Sequence, residues 1–402
     1  MRTVRAQVPL LATVLTALLV LAGCSTVERR VGEGLAGEWT AGPFYEVPNP
    51  LPPGAPGTLI RSERLLGAPN GAAAWRVLYH SRDDAGADIA VSGTVIAPTA
   101  PAPPGGRTIV SWGHPTTGVA PRCAPSVGAD PFDLVEGLTD LIGAGYVVAA
   151  TDYSNMGAPG PQTYLIGTTS GNSVLDAARA ARGLPEAGAS NGLLLWGHSQ
   201  GGHAALFAGE RAASYAPELA LKGVAVAAPA AELGALLDAD IGDVSGVTIG
   251  SYAFNAYASA YASRPGVALD SILTPAGAAA TPGMAQLCLI GQNDQLHAIA
   301  DPLIGHYVKS DPATTEPWAT ILRENTPGSV RMPVPLFVAQ GGADTLVRPE
   351  TTAAFVQREC SLGTAVTSLV IPGVDHGFVA DDALSKLLPW LAAPGGSTCP
   401  AG

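Results

Sequence analysis

Residues 193–204 read LLLWGHSQGGHA, an apolar run that enters a serine flanked by glycines and leaves in an alanine-rich stretch. No other feature constrains the fold as tightly. A sharp strand-to-helix turn holds its middle residue in strained backbone geometry. A side chain two positions to either side would collide with the turn, which accounts for Gly197 and Gly201. Ser199 is then lifted above a sheet at a helix N-terminus, where free backbone N–H groups face any negative charge that develops there.

The rest of the chain supplies a sheet for that turn. Strand-like runs fall at 75–80, 89–97, 108–112, 146–151, 192–196, 224–228, 335–339 and 366–371. Several are continuously apolar, as strands buried on both faces are. Helical stretches at 133–142, 173–182, 203–214, 350–359 and 381–390 alternate with them. The alternation predicts an α/β architecture, a mostly parallel sheet flanked by helices and joined by right-handed crossovers. Residues 230–329 break the rhythm with Ala-, Leu- and Tyr-rich helical material, including 231–238 and 252–262. An α-helical cap inserted into a core of 58–229 and 330–402 is therefore expected. Gly 49 and Pro 35 are scattered between apolar runs, so they read as turns rather than disorder. A net charge of −12 with 13% charged residues excludes a nucleic-acid surface, which needs clustered Lys and Arg.

A serine hydroxyl is a poor nucleophile until a base takes its proton, so a histidine and an orienting acid should follow. Residues 336–346 read LFVAQGGADTL and place Asp344 just past a strand; 370–378 read VIPGVDHGF and place His376 past the last one. The order Ser199, Asp344, His376 is that of the α/β-hydrolase fold. Asp375 adjoins His376 and should point away from it, while Asp294 and Asp301 lie in the cap with no strand before them. His198 and His203 should aim elsewhere than Ser199. His114, His297 and His306 read as satisfied polar residues, and Asp152 as a structural hydrogen-bonding group. An oxyanion site needs two donors. The backbone N–H of Gln200 supplies one, and the loop 111–118, SWGHPTTG, is the best source of the second.

The N-terminus carries an address. Arg2 and Arg5 precede an apolar stretch at 8–20, which ends in Leu21-Ala22-Gly23-Cys24. This resembles a bacterial lipobox, so residues 1–23 are expected to be a lipoprotein signal peptide and Cys24 a lipidated anchor to a membrane, with residues 24–57 a tether and Pro-rich lead-in. Cys123, Cys288, Cys360 and Cys399 then remain in an exported chain, and four cysteines permit three connectivities. We favour Cys123–Cys288 with Cys360–Cys399. No spacing suits a metal site.

Taken together, PFYEVP…PGTLIRSE, SWGHPTTG followed by CAPS at 123–126, TDYSNMG, GHSQGG, ENTPG and QGGADTLV, with Cys360 and the final His loop, resemble the secretory lipase family. These are α/β-hydrolases related to Candida antarctica lipase A, and the likeness is to their bacterial branch over roughly residues 43–399. The resemblance implies acyl-ester (lipid) hydrolysis through an acyl-enzyme, a helical cap carrying the acyl-binding tunnel, and no cofactor. It implies that the CAPS cysteine is disulfide-bonded, which supports Cys123–Cys288. By position, six residues before that cysteine, it assigns the second oxyanion donor to Thr117. Pro115 departs from the HGTTG of many bacterial members. The alternatives are a capped peptidase, an acyltransferase, or a surface lipoprotein without activity.

Overall fold

The computed structural model describes residues 41–399. The expected signal peptide, Cys24 and the first part of the tether lie outside the described residues. Nine strands form one sheet: β1 Leu59–Leu65, β2 Ala72–Arg82, β3 Asp88–Pro98, β4 Arg107–Gly113, β5 Val147–Thr151, β6 Ala189–His198, β7 Ala220–Ala227, β8 Leu336–Gly341 and β9 Val366–Ile371. Their spatial order is β1-β2-β3-β5-β4-β6-β7-β8-β9. The first three pair antiparallel, β3 meets β5 antiparallel, and every pair from β5 onward is parallel.

Strands β5 and β8 are buried along their whole length, as their unbroken apolar runs require. The sequence reading misses β1. Its LIRSERL alternates charge with aliphatic carbon and stays half exposed at the sheet edge, where charged side chains discourage edge-to-edge pairing.

Helices cover both faces. The hydrophobic cluster on one side draws on α2 (Gly167–Arg182), α3 (Gln200–Tyr215) and α10 (Pro349–Ser361). The other side draws on α1 (Leu138–Gly143) and α11 (Val379–Ala392). Helix α1 is shorter than the expected 133–142. Gly137 sits at φ 80°, a left-handed conformation that ends any helix running in from before it, and residues 131–137 turn instead.

Between β7 and β8 the chain forms α4 Leu233–Asp240, α5 Val244–Ala260, α6 Leu269–Ile272, α7 Pro275–Met284, α8 Asn293–Ala300 and α9 Trp318–Glu324. These wrap a third cluster built on Tyr252, Phe254, Tyr257, Tyr307 and Trp318, which also takes in Val119, Tyr164 and Ile166 from loops of the sheet. The only extended pairing among the described residues of this insertion is an isolated bridge between Leu273 and Val308.

Two strand registers bring distant loops together. Gly113 at the end of β4 is paired with Gly197 at the end of β6, and Gly341 at the end of β8 with Ile371 at the end of β9. The loops after these strands therefore open on one edge of the sheet, which is where open α/β sheets place their ligands.

Candidate active site

Ser199 occupies the turn between β6 and α3 with φ 56° and ψ −115°, a conformation that costs a residue with a Cβ energy and is found mainly where surrounding structure enforces it. The enforcement is visible at the glycines. A Cβ on Gly197 would lie 2.1 Å from the Gly201 carbonyl oxygen, and one on Gly201 would lie 1.8 Å from that of Gly113. Side chains at these positions would push the turn off the sheet. Ser199 N–H donates to the Ala227 carbonyl (2.9 Å), tying the turn to β7 as well.

His376 Nε2 lies 2.9 Å from Ser199 Oγ, and its Nδ1 lies 2.8 Å from Asp344 Oδ2. A carboxylate only accepts, so Nδ1 carries the hydrogen and the Nε2 lone pair accepts from the serine. The Asp344 side chain is fully enclosed. Its Oδ1 accepts from Leu346 N–H (2.9 Å) and Val347 N–H (2.8 Å), and its Oδ2 also accepts from Gln340 Nε2 (3.3 Å). Desolvation pulls His376 below its ordinary value of 6.5, and the hydrogen bond to Asp344 opposes that pull. Gly341 lets the histidine loop press against β8, since a Cβ there would stand 2.5 Å from the Val374 carbonyl oxygen.

The loop after β4 lies opposite the serine. Thr117 is held there by its side chain and its carbonyl. Its hydroxyl donates to the Cys123 carbonyl (2.8 Å), its own carbonyl accepts from Leu289 N–H (2.9 Å), and it does not line the cavity above Ser199. Thr116 does line it, with its Oγ1 2.7 Å from Tyr164 Oη. His114 is buried beneath the loop. Its Nδ1–H donates to the Pro115 carbonyl (2.6 Å), its ring packs 4.6 Å from that of Tyr153, and burial drops its pKa to about 4.

The cavity has a volume of about 160 Å³ and runs from Ser199, Gln200 and His376 up into the helical insertion. Its walls are mostly hydrocarbon, with Leu233, Leu237, Ile249 and Phe254 from the insertion and Leu346 from the Asp344 loop. Such a space accepts an alkyl chain and offers little to a charged one.

The cysteines form two disulfides, Cys123–Cys288 and Cys360–Cys399. The first ties the β4 loop to the insertion. The second clips the C-terminal strap, whose Thr398 N–H donates to Val366 O (2.7 Å), beside β9. Asp375 is exposed, Asp294 and Asp301 stand on the insertion, and Asp152 is consumed by Ser92 Oγ (2.6 Å), Ser126 N–H (3.0 Å) and Ser126 Oγ. His203 Nε2–H donates to the Asn325 carbonyl (2.8 Å), away from Ser199. Among the described residues no group of three or more His, Cys, Asp or Glu converges as a metal ligand set. Sequence reasoning misses Gln340, Thr116, Tyr164 and Glu136. Gln340 and Thr116 stand inside quoted motifs with nothing in residue type to mark them, while Tyr164 and Glu136 lie far from the motifs along the chain and only the fold brings them near.

A family model described as secretory lipase matches residues 132–376. Lipase A from Moesziomyces aphidis is 29% identical over 235 residues, 55% of this chain and 49% of its own length. A protein described as a probable inactive lipase, from Mycobacterium tuberculosis, is 29% identical over 208 residues, 48% of this chain and 46% of its own. The chain thus spans about half the length of these curated relatives. The crystal structure of Candida antarctica lipase A in its closed state superposes with a TM-score of 0.71 at 21% identity, covering 87% of this chain and 85% of that one. The architecture is accordingly an α/β-hydrolase fold.

Proposed function

The chain belongs to the secretory lipase family, and from that premise we propose that it hydrolyses carboxylic esters of acyl chains through a serine acyl-enzyme. Ser199 attacks the ester carbonyl as His376 Nε2 takes its proton and then returns it to the departing alcohol oxygen. Asp344 holds the imidazole in the tautomer that can accept and stabilises the imidazolium once formed. Water attacks the acyl-enzyme with His376 again as base, releasing the acid. The tetrahedral oxyanion is met by the backbone N–H of Gln200 and by the hydroxyl of Thr116, whose oxygen accepts from Tyr164 and is thereby left to donate. Residues 230–329 act as a cap whose apolar wall receives the acyl chain.

One observation carries the reading: the 2.9 Å and 2.8 Å contacts that join serine, imidazole and carboxylate across 177 and 32 residues of sequence. One curated relative is described as a probable inactive lipase, so activity has to be tested directly. Ser199→Ala should remove turnover of p-nitrophenyl acyl esters and labelling by a fluorophosphonate while the fold melts normally. Retention of a tenth of the activity would refute the assignment. An ester series from acetate to palmitate then measures the cavity.

Family membership and the two disulfides point to an exported protein. We further propose that Cys24 is lipidated and holds the enzyme at a membrane face, where its substrates reside. Globomycin-sensitive processing of the full chain tests this.

A further inference from the structure

We propose that Glu136 and His198 form a second buried acid–imidazole pair, which positions the ring of His376 and sets the pH below which the enzyme stops working. The inference rests on His376 being the base.

Its structural basis begins in the sheet. Trp112 and Trp196 are register partners on β4 and β6, with ring centroids 5.6 Å apart. The Trp112 indole N–H donates to the Leu134 carbonyl (2.9 Å), and that of Trp196 to the Glu136 carbonyl (3.2 Å). Two core indoles thus pin the turn that should have been helix, and the turn presents Glu136. The Glu136 Oε1 then lies 3.0 Å from His198 Nδ1, with 15% and 3% of the two side chains exposed. The His198 ring lies 4.9 Å from that of His376, inclined by 43°. His376 is therefore held at Nδ1 by Asp344, with the inclined His198 ring packed beside it.

The pair is also incompletely satisfied. Glu136 Oε2 and His198 Nε2 are both buried without a hydrogen-bond partner. Groups left so are costly and uncommon, and they are kept where charge or strain is used. The pair acts on His376 in two opposed senses: His198 disfavours an imidazolium there, while the more distant Glu136 favours it, and His198 has the larger effect of the two. The other ionisable groups facing the pair are Asp344 beyond His376, Asp381 and Asp382 on α11, and Asp133 in the same turn. All are acidic, so His198 is the one neighbour that holds the proton off His376.

The test is the acid limb of kcat/KM against pH for p-nitrophenyl esters. His198→Gln removes the neighbour that disfavours the His376 imidazolium and should move the limb to higher pH by about half to one unit, whereas Glu136→Gln removes one that favours it and should move the limb a smaller distance to lower pH. The double variant should fall between the two single variants, because the shifts oppose each other. Thermal melts confirm folding, and Glu136→Asp, which keeps the charge, should leave the limb near its original position. If folded His198→Gln loses rate while its acid limb stays put or moves down, the pair is merely structural and the proposal fails. Failure of the underlying reading looks different: Ser199→Ala would then retain turnover.

Discussion

The two sides of the catalytic cleft are built by opposite means. The serine side is mainly local: β6, Ser199 and α3 are continuous in sequence and the Gly197–Gly201 contact closes the turn, with Gly113 and Ala227 the distant groups it rests on. The loop side is assembled from afar. Tyr153 Oη donates to the His114 carbonyl (3.1 Å), Tyr164 meets Thr116, Leu289 holds Thr117, and the Cys123–Cys288 bridge stands where a Cβ on Gly118 would need to be. Local construction makes a site legible in sequence. Distributed construction makes its fine placement illegible.

The largest expected effect comes where the two sides touch. Gly201→Ala drives a Cβ into the Gly113 carbonyl, so it should unseat elbow and loop together, costing more than about 4 kcal/mol and all activity. Gly283→Ala on α7 meets nothing within 4 Å and should be neutral or stabilising by up to about 1 kcal/mol. Thermal melts and fluorophosphonate labelling read both. A Gly201→Ala enzyme that labels normally would show that the elbow is not held by that contact.

The contrast explains what could be read beforehand. Ser199, Asp344 and His376 each follow a strand that announces itself by an apolar run, and their order along the chain fits one fold. Eight of the nine strands are visible for the same reason. β1 is not, because an edge strand needs no apolar signature. The helix expected at 133–142 fails at its start, because nothing in local propensity announces that two indoles claim the carbonyls of Leu134 and Glu136. The choice between Thr116 and Thr117 is illegible for a like reason: it depends on Cys123, Leu289 and Tyr164, which no short window contains.

The disulfides sharpen the comparison next. Chain-entropy arguments give about 5 kcal/mol for a closed loop of 165 residues and about 4 kcal/mol for one of 39. Replacing either pair by serines should therefore lower the melting point by similar amounts. Only the loss of Cys123–Cys288 should also lower kcat at temperatures where the protein is fully folded, since only that bridge ties the loop after β4 to the insertion. Equal kcat in the two variants would mean that the loop holds without its tether.

Within the loop, Thr116→Val should reduce kcat by about 100-fold or more with little change in KM, the usual cost of one oxyanion donor. Thr116→Ser should restore most of it. Thr117→Val removes a hydrogen bond to the Cys123 carbonyl and should cost about 1 kcal/mol of stability with kcat nearly intact. Reversal of the two results would return the role to Thr117.

The smallest kinetic effect uses a histidine from each side. His114 lies under the loop and His203 in the first turn of α3; burial lowers both from 6.5 to about 4. Each donates one ring N–H to a carbonyl, and desolvation of the enclosed ring is what disfavours a second proton. Between those pH values the unfolded chain binds a proton at each position that the folded protein refuses. Stability from each is therefore complete above pH 6.5 and falls as the solution is acidified toward pH 4, by about 1.4 kcal/mol per unit. His114→Gln and His203→Gln should each flatten the dependence of unfolding free energy on pH by about that slope, whatever the buried carboxylates add to both. Their kinetics should differ. His114→Gln removes a ring packed against Tyr153, which holds the loop carbonyl, and should lower kcat several-fold. His203 packs against Phe207 and Asn325 behind the elbow, and its replacement should leave kcat unchanged once the protein is folded. A kinetic defect in the second variant and none in the first would show that the elbow leans on distant support as much as the loop does.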